Sequence, residues 1–140
     1  TKANVGDHDL NITHDSCINI IGKNNFEFIK KISIKIFNDA FLYLKERGII
    51  LSDTKFEFGF DSQDNIFLID EVLTPDSSRF WLEKDYKIDC SPQSLDKQYI
   101  RDYVKFSGWT NDQDLPSLPE DIIRNTTEKY KYIRKIIQND

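Results

Sequence analysis

The hydrophobic period changes from helical to strand-like at Gly48, and that change constrains the fold more than any other feature of the sequence. Across residues 26–47, Ile29, Ile32, Ile36, Phe37, Ala40, Phe41 and Leu44 recur at the three-and-four spacing that places apolar side chains on one face of a helix. Glycine enters the left-handed conformation without a Cβ penalty, so Gly48 supplies the stop. Beyond it, Thr54, Phe56, Phe58 and Phe60 alternate with Asp53, Lys55, Glu57 and Gly59, the period of two of a strand. The turn-forming run Asp61-Ser62-Gln63-Asp64-Asn65 and a second apolar run then predict an antiparallel hairpin over about residues 49–60 and 66–71.

The remaining segments carry weaker signals. Residues 1–22 are polar without a sustained period and read as a loop or lid-like segment. Residues 74–92 are turn-rich and read mostly as loop, with Phe80 and Trp81 fixing that loop on the core. Tyr99, Ile100, Tyr103 and Val104 share one face of a helix predicted over 96–107, ended by Gly108. Pro119 suits the first turn of a final helix carrying Ile122, Ile123, Thr126, Tyr130, Ile133 and Ile137. The fold class expected from these elements is α+β, a small antiparallel sheet packed by helices.

Composition limits the partners. A chain of 140 residues suits one domain, and 39% hydrophobic with 31% charged residues is a globular balance. The net charge of −5 argues against a protein held on nucleic acid by phosphate contacts, while leaving small anionic ligands open. With no membrane-length apolar run and no signal-peptide pattern, a cytoplasmic protein without membrane partners is expected. Cys17 and Cys90 form no CxxC pair and read as free thiols. The chain contains no Met and opens on Thr1-Lys2-Ala3, so a piece of a longer chain is expected.

Three constellations could carry chemistry. Asp53, Lys55 and Glu57 lie at two-residue spacing, and Asp70-Glu71 closes the second strand. Clustered carboxylates beside a Lys suit a magnesium–phosphate site, but a solvated strand face would look the same, and residue types alone do not separate the two. Asp76-Ser77-Ser78-Arg79 offers hydroxyl donors and a guanidinium to a phosphate monoester, or is an ordinary surface turn. Asp96, Lys97, Arg101 and Asp102 lie about one turn apart, where intrahelical ion pairs explain them adequately. His8, between Asp7 and Asp9, fits no zinc spacing and reads as a loop residue, and the Asp-rich turn lacks EF-hand spacing.

Several stretches together closely resemble the SAICAR synthetase family: Gly6-Asp7-His8-Asp9, the run from Gly48 through Ser52-Asp53-Thr54-Lys55-Phe56-Glu57 to Gly59, and Asp70-Glu71-Val72-Leu73-Thr74-Pro75-Asp76-Ser77-Ser78-Arg79-Phe80-Trp81. Asp96-Lys97-Gln98, Arg101-Asp102 and Gly108-Trp109 follow in the family's order, so the resemblance spans nearly the whole chain. It implies an ATP-dependent carbon–nitrogen ligase of purine synthesis. That enzyme joins L-aspartate to carboxyaminoimidazole ribotide with Mg2+, giving SAICAR, ADP and phosphate. By the same resemblance Glu57 and Asp70 hold the metal and contact ATP, Lys55 meets phosphoryl oxygens, and Asp53 supports Lys55 or the metal shell. Ser78 and Arg79 grip the ribotide phosphate, Asp9 lies near the imidazole or the aspartate amine, and Asp76, Lys97 and Arg101 belong to the same cleft. Leu10 departs from the acid common after His-Asp in the family. The resemblance also implies that residues 1–140 are the C-terminal, ATP- and ribotide-binding portion, without the N-terminal lobe whose glycine-rich segment covers ATP, so that this chain alone lacks turnover. The alternatives are a small-molecule kinase and a non-catalytic nucleotide- or anion-binding module.

Overall fold

The structure, a computed structural model, describes residues 10–90, 92, 94–110, 114 and 116–138. The elements in chain order are α1 (His14–Ile21), α2 (Lys23–Lys45), β1 (Ile49–Thr54), β2 (Glu57–Phe60), β3 (Ile66–Ile69), β4 (Ser78–Leu82), a 3-10 turn (Glu83–Asp85), α3 (Gln98–Phe106) and α4 (Glu120–Gln138). The chain forms two compact units, Thr1–Ile36 and Phe37–Asp140, with the boundary inside α2. Among the described residues no helix is long and apolar enough to cross a membrane. Both cysteines are free thiols.

The first unit contains a helix where the sequence predicts loop. Thr13 caps α1, its Oγ1 accepting the backbone N–H of Ser16 at 3.1 Å, which satisfies one of the donors a helix start leaves orphaned. Within this unit the His14 ring sits 5.2 Å from that of Phe26. Eight residues give too few turns for a readable apolar period, so the cap was the only local signal.

In the second unit Gly48 ends the helical run as the sequence requires, at φ +71°, with its N–H donating to Lys45 O at 3.0 Å. Leu44, Ile49, Leu51, Phe80, Leu95 and Ile133 form the buried core, flanked by Phe37, Ala40, Phe41, Leu82, Ile136 and Ile137. The core therefore joins the end of α2, the sheet of β1 and β4, and α4. Pro119 directly precedes α4, and Ile122, Thr126 and Ile133 are its buried positions. The other predicted helix is α3, which begins two residues later than expected, at Gln98.

The sheet departs from expectation in its partners. Residues 49–60 do not make one strand: β1 pairs antiparallel with β4, and the expected hairpin consists of β2 and β3 alone, as a separate two-stranded sheet. Alternation decides which side chains share a face, but not which strand lies alongside, so the sequence could not divide this run. β4 falls in the stretch read as loop. Its buried residues are Ser78 and Phe80, separated by the exposed Arg79 and followed by the half-buried Leu82 on the same face, too short a pattern to stand out. The expected anchoring does hold, because Phe80 is fully enclosed.

Candidate active site

One inserted residue builds the first half of the site. In β1 against β4, Leu51 opposes Phe80, but the next partners are Asp53 and Arg79, so Ser52 is a bulge. Strict alternation would put Asp53 on the same face as buried Leu51. The bulge moves it to the other face, opposite Arg79, and returns Thr54 inward opposite Ser78. Arg79 Nε donates to both carboxylate oxygens of Asp53, at 2.9 and 3.0 Å, and Nη2 donates to Oδ2. Thr54 and Ser78 share a hydroxyl hydrogen bond of 2.8 Å.

The second half comes from the hairpin and the chain around it. Beyond β1, Lys55 N–H donates to Ser77 O at 2.9 Å, and the Lys55 ammonium pairs with Glu57 at 2.7 Å. Glu57 faces Ile69 across the hairpin, so continued alternation would send Asp70 to the opposite face. A metal site shared by Glu57 and Asp70 calls for a register with Asp70 beside Glu57, and that register is not the one found. Asp70 instead leaves the strand in the left-handed region, φ 63°, and lines the same cleft as Glu57 by that turn. The following loop is tied by Thr74, whose Oγ1 accepts the N–H groups of Asp76 and Ser77 at 3.3 and 3.2 Å and donates to Glu71.

Nine of the ten residues singled out in the sequence, Asp53, Lys55, Glu57, Asp70, Asp76, Ser78, Arg79, Lys97 and Arg101, line one cleft of about 560 Å³. The tenth, Asp9, lies outside the described residues. Two expected pairings are corrected. Asp53 is held by Arg79 instead of supporting Lys55, because the bulge turns it toward β4 and Glu57 reaches Lys55. Lys97 does not pair within its helix but reaches Asp76 at 2.8 Å, because α3 starts after it. Asp102 is likewise engaged within α3, accepting from Gln98 Nε2 at 2.8 Å.

Glu71, Ser77, Asp96 and Gln98 also line the cleft, although none of them draws a site role from the sequence. Asp96 is only 2% exposed; it accepts from the Ser94 hydroxyl and from Gln98 N–H at 2.7 Å, capping α3. The signal for it was its place just before an apolar helical face, which reads equally well as a plain cap.

The electrostatics favour ionised, paired groups. The Arg79 hydrogen bonds hold the Asp53 carboxyl below its ordinary range against a burial penalty, and Asp53 in turn raises Arg79. Asp76 is lowered by its bond to Lys97 first and by Glu71 second. On α4 beneath, burial lowers Lys129 and raises Tyr130. Asp53 and Arg79 are each about half exposed, and such pairs add only about 0.2–1 kcal/mol to stability. The cleft holds six carboxylates against four cations, so a polyphosphate entering it needs added positive charge. Among the described residues no three Asp, Glu, His or Cys are grouped to cage a metal. Mg2+ commonly uses one or two carboxylates with substrate phosphates and water instead, and Glu57 and Asp70 are among the carboxylates that line the cleft.

Cations and hydroxyls lining an acidic cleft of a mixed helix-and-sheet domain are residue types suited to a phosphate-bearing ligand. The chain belongs to the SAICAR synthetase family, whose model matches residues 1–116. A phosphoribosylaminoimidazole-succinocarboxamide synthase of Neisseria meningitidis serogroup C (strain 053442) is 46% identical over 140 residues, covering 100% of this chain and 49% of that relative. A SAICAR synthase from Saccharomyces cerevisiae, solved in complex with SAICAR, superposes with a TM-score of 0.82 at 36% identity, over 94% of this chain and 44% of that one. A SAICAR synthetase solved in complex with ADP matches with a TM-score of 0.67 at 30% identity, over 95% of this chain and 46% of that one. The chain thus spans about half the length of the curated relatives it matches.

Proposed function

We propose that this chain supplies the ribotide-phosphate and magnesium side of an ATP-dependent ligase that joins L-aspartate to carboxyaminoimidazole ribotide, in the cytoplasm. The observation that carries the reading is the convergence of nine residues on one cleft in a member of this family. The relatives named for SAICAR and ADP complexes support ribotide and nucleotide as ligands. In this reading residues 1–140 are the C-terminal portion, and the rest of the relatives' length completes the ATP site.

Arg79, with Ser77 and Ser78 behind it, binds the ribotide 5′-phosphate, and Lys97 and Arg101 steady the same end of the cleft. Glu57 and Asp70 hold Mg2+, which offsets the charge of the ATP phosphates when bound. Lys55 contacts the transferring phosphoryl oxygens. The ribotide carboxylate oxygen takes the γ-phosphoryl group, releasing ADP; the aspartate amine then attacks that carbonyl carbon, the carbon–oxygen bond to phosphate breaks, and the amine proton passes to a base, for which Asp9 is the candidate. Joining anions concentrates negative charge, so fixed cations and orientation supply most of the rate.

The test is ADP release by the full-length ligase, meaning this chain together with the remaining half of its relatives' length. ADP release should require ribotide, aspartate and Mg2+ together. Release that proceeds without aspartate would replace the ligase reading with a kinase.

A further inference from the structure

We infer that Asp53 is the positioning residue of the phosphate grip: carried onto the cleft face by the bulge at Ser52, it fixes the Arg79 guanidinium in the orientation that meets a phosphate monoester. This rests on the ligase reading of the cleft. Three observations carry it. The bulge reverses the facing of Asp53 at the one register position opposite Arg79, while Phe80 and Ser78 keep the regular alternation of β4. Asp53 spreads its two oxygens over Nε and Nη2 of Arg79, so one edge of the planar guanidinium is occupied and the rest of the fork is presented in a set direction. The pair is half exposed, which makes it a weak prop for the fold and leaves orientation as its main effect. Lys55, the other cation within reach of this strand end, already has Glu57.

An anion beside a phosphate-binding arginine could instead act as a competitor that the ligand displaces. The two roles predict opposite signs. Without Asp53 a positioned arginine becomes mobile and binds phosphate less well, whereas an arginine freed from a competitor binds it better.

Ribose 5-phosphate affinity by calorimetry, and kcat and KM for ribotide by ADP release, are measured on the full-length ligase, Asp53→Asn, Arg79→Ala and the double variant. Asp53→Asn should weaken ribose 5-phosphate binding and raise the ribotide KM by about fivefold to tenfold, with kcat within about twofold, because the lost order acts on ground and transition states alike. In the Arg79→Ala background the same substitution should add less than about twofold, since Asp53 acts through Arg79. Asp53→Glu, which keeps the charge, should recover part of the loss. Tighter binding by Asp53→Asn, an equal loss with and without Arg79, or a loss confined to kcat would each overturn the inference. A parent that binds ribose 5-phosphate without aspartate-dependent ADP release would overturn the ligase reading and leave the Asp53 test standing; a parent that shows aspartate-dependent ADP release but does not bind ribose 5-phosphate would overturn the inference and leave the ligase reading standing.

Discussion

β1 and β4 share an enclosed face, with Ile49, Leu51 and Phe80 at most 1% exposed, whereas in the hairpin of β2 and β3 Phe60, Phe67, Leu68 and Ile69 are all exposed. Both sheets deliver side chains to the same cleft. The groups proposed to hold the phosphate, Ser78 and Arg79, thus stand on a strand anchored in the core, Ser78 by burial and Arg79 by its pairing with Asp53. The groups proposed to hold the metal, Glu57 on β2 and Asp70 just after β3, belong to an element that is marginal by itself, since an isolated two-stranded hairpin has little independent stability. Asp70 reaches the cleft only through a left-handed backbone turn. In the proposed reading, the phosphate end of the cleft is the more firmly anchored and the metal end the less so.

The comparison can be broken first at the level of turnover. The hairpin end carries the carboxylates proposed to hold the metal but no glycine-rich loop to fix a triphosphate, the five glycines of the chain being scattered singly. Loss of oriented geometry can cost about 7–11 kcal/mol of barrier, or five to eight powers of ten. The 140-residue chain alone should therefore give no detectable aspartate-dependent ADP release. Turnover near about 1 per second would mean that the hairpin end holds a complete nucleotide site.

Stability offers a second contrast within the same chain. Phe80→Ala empties a fully enclosed position and should cost about 3–5 kcal/mol in urea denaturation, while Phe67→Ser on the exposed hairpin face should stay within about 0.5 kcal/mol. Equal costs would mean that the hairpin is as tightly embedded as the core sheet.

The smallest effect concerns acid. Asp53 and Asp76 are both held below the ordinary carboxylate range, by Arg79 and Lys97 respectively, so they bind protons less readily folded than unfolded. Their contribution is full above the ordinary range and disappears as pH falls through the lowered values. Denaturation at neutral and acid pH should show the parent losing its small advantage over the Asp53→Asn, Asp76→Asn double variant on acidification, and less advantage at high salt. An advantage that grew on acidification would contradict the pairing.

How much of this could be read from the sequence follows from which interactions are local. The helix ending at Gly48 and the apolar face of α4 were legible because a 3.6-residue period and a glycine stop depend on neighbours in the chain. The resemblance brought ten residues to one list, and nine of them line one cleft. The partner of β1 was not legible, because pairing is a contact between distant segments. Nor was the bulge at Ser52, since one extra residue leaves the pattern of residue types unchanged while reversing the facing of Asp53. Asp96 was passed over for a similar reason: its burial depends on Leu95 N–H donating to Phe80 O at 3.0 Å, which fastens its segment to β4.

The division of the cleft is tested most directly by crossing two substitutions with two ligands in the full-length ligase. Arg79→Ala removes a charged hydrogen-bond donor from a phosphate remote from the reaction and should raise the ribotide KM roughly tenfold to a hundredfold, leaving that of ATP within about twofold. Glu57→Gln should raise the Mg2+ requirement of ATP use and leave the ribotide KM within about twofold. If Arg79→Ala weakens ATP while ribotide is unaffected, the core sheet does not hold the ribotide phosphate, and the account of the two ends is wrong.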